Sequence, residues 1–150
     1  MDTSKDCLKT SDPLLPNERS ALMSRIRSRD TVPELLVRSM LHRHGYRFRV
    51  CVKGLPGKPD IVFRSHRIAI FIHGCFWHRH SCKFAYTPKT RQEFWQNKFR
   101  QNIERDMECT AQLMKIGWKV LVAWECETAD MESLADKLIA AIGPRNQSII

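Results

Sequence analysis

The sequence predicts one α/β domain, a mixed central sheet flanked by helices. Three observations predict it. The chain has 150 residues, 43% of them hydrophobic, which suits a single domain with one real core. Apolar periodicity switches between about two and about 3.6 residues along the chain, in the order α-β-β-β-α-β-α. The longest helical segment joins two apolar strands, a crossover that makes those strands parallel.

Residues 1–18 carry Ser, Thr, Asp and Pro without periodicity and read as a flexible N-terminal arm. The folded domain is expected over 19–143, with 144–150 as a tail. Its first convincing element starts at Thr31. Thr31-x-x-Glu34 has capping-box spacing, Pro33 suits a first turn, and Leu36, Val37, Met40, Leu41 and His44 form one helical stripe that Gly45 ends. YRFRV (46–50) alternates like a half-buried strand, and KGLPGKP is a turn. IVF (61–63) and IAIFI (68–72) follow as short β-branched strands. A second capping box, Thr90-x-x-Glu93, is expected to open a long helix. Its stripe would be Phe99, Ile103, Met107, Ala111 and Met114, ending at Gly117. KVLVAW (119–124) is an apolar strand, and MESLADKLIAAI is a helix stopped by Gly143-Pro144. Because strands 68–72 and 119–124 are parallel, their carboxyl ends share one sheet edge, where ligands gather in open α/β sheets. Cys126 is thereby carried towards the segment that follows residue 72.

Charge narrows the partners. Lys and Arg number 25 against 16 Asp and Glu, a net +9 that points to a polyanion, most simply nucleic acid. No apolar run reaches transmembrane length and the N-terminus has no signal-peptide pattern, so the expectation is a soluble intracellular protein. In a reducing compartment six cysteines do not imply disulfides, and Cys clustered with His favours metal. Cys7, Cys51 and Cys109 stand alone and read as free thiols or small buried apolar residues.

The segment HGCFWHRHSC (73–82) holds two Cys, three His and two adjacent aromatics. Cys75, one of His78 or His80, Cys82 and Cys126 supply three sulfurs and one nitrogen for a structural, tetrahedral zinc. Spacing leaves the choice of histidine open, and His73 and one other imidazole are spare. Asp60 starts a strand whose antiparallel neighbour ends at His73, so the two are expected side by side. A carboxylate for Mg²⁺ beside imidazoles is the equipment of phosphodiester hydrolysis. Glu34 is already explained by its capping position, and Trp118 and Trp124 read as core. Phe76 and Trp77 lie inside the ligand loop and Trp95 beside Lys98 and Arg100, which suits stacking on bases or wedging between them, with ordinary loop packing as the alternative.

With these residues assembled, the sequence resembles the very-short-patch repair (Vsr) DNA mismatch endonucleases. The resemblance covers about residues 19–127 and is carried by RSALMSRIRSRDT, LPGKPDIVF, FIHGCFWHRHSC, TRQEFWQNK, NIERD and GWKVLVAWEC. It implies a restriction-endonuclease-like core with a structural zinc. It also implies Mg²⁺-dependent nicking of one strand beside a T:G mismatch, left where 5-methylcytosine has deaminated. By position it makes Asp60 the Mg²⁺ ligand, His78 the base that activates water, His73 a helper at the scissile phosphate and Glu34 a further active-site acid. It assigns zinc to Cys75, His80, Cys82 and Cys126. Phe76, Trp77 and Trp95 become wedges beside the mismatch; Lys98, Asn102 and Met23 become mismatch-reading positions. Ile72 stands where a Thr is common, so it would serve magnesium through its carbonyl. Leu22 replaces a common Asn in the arm, and Arg79 and Ser81 interrupt what is often a histidine run. The expected partner is double-stranded DNA carrying a T:G mismatch, bound by a monomer in the bacterial cytoplasm at the nucleoid, and a MutL-type repair protein is a candidate. Two rivals stand beside this reading: a nuclease with another mismatch or duplex specificity, and a zinc-containing DNA-binding module without catalysis.

Overall fold

The structure, a computed structural model, describes residues 29–145. The arm over 1–18, Leu22, Met23 and the last five residues of the tail lie outside the described residues. The order is helix α1 (Val32–Arg43), strands β1 (Ile61–Phe63) and β2 (Ile68–His73), helix α2 (Gln92–Lys115), strand β3 (Lys119–Trp124), a 3₁₀ turn (Glu125–Ala129) and helix α3 (Met131–Ile142).

β2 is the central strand. It pairs antiparallel with β1, Ile61 opposite Ile70, and parallel with β3 from Ile68–Lys119 to His73–Trp124. The crossover through α2 is therefore as the sequence predicts. One sheet face presents Ile61, Phe63, Ile68, Ile70, Ile72 and Ala123 to α1 and α3, which return Val37, Met40, Leu41, Leu134, Leu138 and Ile142. α3 starts at Asp130, whose carboxylate accepts the Ser133 N–H at 3.1 Å, and ends at Gly143 with φ +87°. Among the described residues no helix is long and apolar enough to cross a membrane.

Several expectations are corrected. YRFRV is not a strand: only Arg49 bridges Val62. Tyr46 is instead drawn into the core, where its hydroxyl donates to the Gly143 carbonyl at 2.8 Å, and its ring and that of Phe48 meet Phe63 edge-on. Cys51, with φ +55°, then breaks the extended path. Neither capping box forms. Thr31 is the N-cap of α1 but its side chain makes no cap bond, and Glu34 turns to accept from the Asp30 N–H at 2.9 Å and from Arg38 at 3.0 Å. α2 begins at Gln92 behind a left-handed Arg91, two residues past Thr90.

Both helical stripes are also narrower than expected. Leu36 and His44 are exposed, whereas Glu34 is buried on the face of Val37 and Leu41. On α2 only Phe99, Asn102 and Leu113 are buried, while Ile103, Met107 and Met114 are 38%, 68% and 63% exposed. A sheet of three strands is too narrow to cover the wider apolar face of a 24-residue helix. Trp118 and Trp124 are half-buried rather than core, since β3 is an edge strand.

Candidate active site and metal centre

Asp60 enters β1 from the Gly- and Pro-rich turn. Its N–H donates to the Ile70 carbonyl at 3.0 Å, and its Oδ2 accepts the Ile72 N–H at 2.7 Å. The carboxylate therefore lies against the end of β2, one residue short of His73. Burial pushes it up to about 6, against the pull of the Ile72 hydrogen bond; Glu34 adds to the rise, and Arg38 and His78 oppose it. Glu34 is 4% exposed and accepts from Arg38 Nη2 at 3.0 Å, while Arg38 Nη1 reaches Asp30 at 2.6 Å. Among the described residues no cation lies within ion-pair range of Asp60, and Arg38 nearby is already held by Asp30 and Glu34, so this carboxylate lacks a counter-charge. A hard cation held by oxygen donors fits that deficit.

His73 is the last residue of β2, and its ring stacks on His78 with centroids 3.9 Å apart and planes 6° from parallel. His78 Nδ1 is hydrogen-bonded to Asp106 Oδ2, which comes from the middle of α2. Burial first, and then the neighbouring His78, hold His73 down to about 4, so its imidazole is neutral at physiological pH. A carboxylate on Nδ1 fixes the His78 ring and leaves Nε2 as its basic nitrogen, the arrangement a proton acceptor needs.

His80 is only two residues further on, but Arg79 between them is left-handed at φ +55°. The chain turns there, and the two imidazoles enter different clusters. Cys75, His80, Cys82 and Cys126 bring their ligand atoms within 4.8 Å of one another. His80 Nδ1 lies 3.8 Å from Cys75 Sγ and 3.4 Å from Cys126 Sγ, and the Cys126 N–H donates to Cys75 Sγ. The Trp124 ring stacks on His80 at 4.3 Å and meets His73 edge-on at 5.3 Å, joining the two clusters. Burial pushes the Cys75 thiol up to about 12, so a cation is what would let this buried sulfur become a thiolate.

Beside the histidines lies an aromatic cluster. Phe76 is at its centre, with ring centroids 5.1 Å from Trp77, 5.0 Å from Tyr86, 5.5 Å from Trp95 and 5.2 Å from Phe99. Phe76, Trp77 and Trp95 are all half-buried, so part of each ring is presented to solvent. Asn102 is buried and donates to the Trp77 carbonyl at 3.2 Å, which ties the loop to α2. Lys98, one turn before it, is half-buried. Sequence reasoning missed Asp106 as a site residue. The signal was present in NIERD, where Asn102 and Asp106 stand one helical turn apart and face the same loop.

The chain is also similar in sequence to known proteins. The family model described as "DNA mismatch endonuclease Vsr" matches residues 11–84. The chain is 47% identical over 133 residues to the type II nicking enzyme V.XorIIP of Xanthomonas oryzae pv. oryzae, spanning 89% of this chain and 98% of that one. It is 44% identical over 121 residues to the DNA mismatch endonuclease Vsr of Escherichia coli K12, covering 81% and 78% of the two chains. The type II nicking enzyme V.NmeAIP of Neisseria meningitidis is 42% identical over 127 residues, 85% of this chain and 91% of its own. A paired imidazole site beside a buried carboxylate, set in a chain this similar to enzymes of one kind, has one consistent identity: the chain belongs to the Vsr family of DNA mismatch endonucleases.

Proposed function

We propose that this endonuclease nicks one strand of duplex DNA beside a T:G mismatch produced by deamination of 5-methylcytosine. One observation carries the reading: Asp60 and the His73–His78–Asp106 stack converge at the carboxyl end of β2, next to the half-buried aromatics of the following loop. In the reaction, His78, oriented by Asp106, takes a proton from a water molecule. The water oxygen bonds to phosphorus, and the bond from phosphorus to the leaving oxygen breaks. That oxygen takes up a proton from a solvent water molecule. Neutral His73 donates a hydrogen bond to the phosphate rather than adding a charge. Asp60 and the Ile72 carbonyl would hold Mg²⁺, which supplies positive charge at the phosphate when bound. Glu34, restrained by Arg38, completes the acidic wall.

Zinc suits the second cluster. Tetrahedral Zn–S and Zn–N bonds put sulfur and nitrogen about 3.6 Å apart, close to the 3.8 Å and 3.4 Å separations of His80 from Cys75 and Cys126. Four protein ligands leave no open position, so this ion would be structural and would brace the loop that carries Phe76 and Trp77. Mismatched pairs cost less to unstack, and Phe76, Trp77 and Trp95 would turn that softness into selectivity. Residues 19–143 would form the catalytic domain on a restriction-endonuclease-like core. The enzyme would act as a monomer in the bacterial cytoplasm, with a MutL-type repair protein as candidate partner.

The test is a nicking assay on T:G, G:C, A:T and other mismatched duplexes, each strand labelled, with and without Mg²⁺. Cleavage of one strand of the T:G duplex only, dependent on Mg²⁺, is the expected result. Cleavage of another mismatch or of matched duplex would favour the rival nuclease, and tight binding without any cleavage would favour the non-catalytic module.

A further inference from the structure

We propose that the loop over residues 51–58 and the arginines facing it form a phosphate subsite, which seats a backbone phosphate of the nicked strand neighbouring the one at Asp60; this rests on the duplex-nicking reading above. A cavity of about 580 Å³ lies here, and Arg29, Arg38, Lys53, Lys58 and Asp60 are the charged side chains of its wall. Asp30 and Glu34 already balance the two arginines, so the positive charge left to the cavity is that of Lys53 and Lys58 at its rim. Because Asp60 belongs both to this cavity and to the hydrolytic cluster, an anion seated here lies along the strand being cut.

The cations divide into two kinds. Arg38 is engaged by Asp30 and Glu34, and Arg29 by Asp30 and, at 3.5 Å, by Cys51 Sγ. Arg38, its side chain 14% exposed, is fixed by these pairs, whereas Arg29 is 68% exposed, and Arg38 Nε is a buried donor with no acceptor among the described residues. Lys53 and Lys58 differ. Both are exposed, and among the described residues no carboxylate lies within ion-pair range of either. Compact ammonium charges at the rim of an open cavity suit the diffuse charge of a phosphodiester.

Exposed lysines alone would mean little, but the backbone beneath them is held. Cys51 and Lys58 both take left-handed conformations, φ +55° and +50°, which residues other than glycine seldom adopt. Between them Gly57, at φ +74°, is pressed so closely against α2 and β2 that a Cβ would stand 2.8 Å from Cys109 Cβ and 3.1 Å from the Phe71 ring. The loop is therefore clamped to the elements that carry Asp106 and His73. Its lysines leave a platform already in register with the reacting groups.

The test is equilibrium binding of a fluorescent T:G duplex and its matched counterpart by the full chain across a salt series, with Mg²⁺ omitted, for wild type, Lys53→Gln, Lys58→Gln and the double variant. Each lost phosphate contact should reduce the log–log salt slope by about 0.9. The affinity deficit of each single variant should then shrink about 3.5-fold between about 50 mM and about 200 mM salt. Loss should be equal on the two duplexes. A single methylphosphonate walked along the nicked strand should, at one position, reproduce the loss in wild type and cost the Lys58→Gln variant no more. Wild-type binding with a normal salt slope and unchanged slopes in the variants would overturn the subsite alone. A wild type that does not bind duplex DNA would overturn the nicking reading with it.

Discussion

Asp60→Asn should make the folded protein more stable at neutral pH while abolishing nicking. Burial holds the Asp60 carboxyl at about 6 against an ordinary 3.8. Because the folded value is raised, the contribution of protonated Asp60 to stability is complete below 3.8 and is lost as pH rises through 6. Above that range the fold carries a charge that the unfolded chain would solvate better, at a cost of about 3 kcal/mol. Asparagine keeps an oxygen to accept the Ile72 N–H and removes the charge, and Arg38 keeps Asp30 and Glu34 as partners. The gain should be about 3 kcal/mol near pH 7.5 and roughly half of that at pH 5. For a domain of this size it corresponds to a rise in Tm of about 6–10 °C at the higher pH. Thermal unfolding followed by circular dichroism, with Mg²⁺ omitted, reads the difference between variant and wild type at each pH. Added Mg²⁺ should then raise the Tm of wild type but not of Asp60→Asn, since only a ligand that binds the native state stabilises it. A variant less stable than wild type at pH 7.5, or a gain of equal size at both pH values, would refute the assignment of a charge-starved site.

Three further expectations follow from the site. Cys82→Ala should lose its bound zinc by elemental analysis and melt at a lower temperature, whereas Asp60→Asn should retain zinc; an active Cys82→Ala protein of wild-type stability without zinc would sink the structural role. Asp106→Asn should leave duplex affinity unchanged and slow single-turnover nicking by about 10²–10⁴, the range of a general-base contribution, and combining it with His78→Ala should add little because the pair acts as a unit. Trp77→Ala should weaken binding of the T:G duplex by about 1–3 kcal/mol with a much smaller loss on matched duplex and an unaltered salt slope, and equal loss on both would reduce Trp77 to a packing residue.

Elements that rest on local signals were legible from the residues alone. The β-branched runs at 61–63 and 68–72, the apolar run at 119–124 and the Gly143 stop of the last helix all appear at or within a residue of their expected bounds. The parallel pairing of β2 with β3 followed from connection length and handedness, and it was enough to bring Cys126 to Cys75 across the chain. Asp60 beside the end of β2 followed from one short hairpin. Choices between equally good local options depend on the assembled fold. Spacing could not separate His78 from His80; a left-handed Arg79 and the carboxylate of Asp106 did. Glu34 had the spacing of a cap, but its carboxylate accepts from the half-buried guanidinium of Arg38 one turn on and from the Asp30 N–H instead. The apolar stripe of α2 was real in the sequence, yet of it only Phe99 is buried, with Asn102 and Leu113 beside it, because the loop carrying Phe76 and Trp77 covers Phe99 and Asn102. Local patterns report which groups would gain from burial or pairing. The supply of partners is set by the whole fold, and with a three-stranded sheet that supply is short.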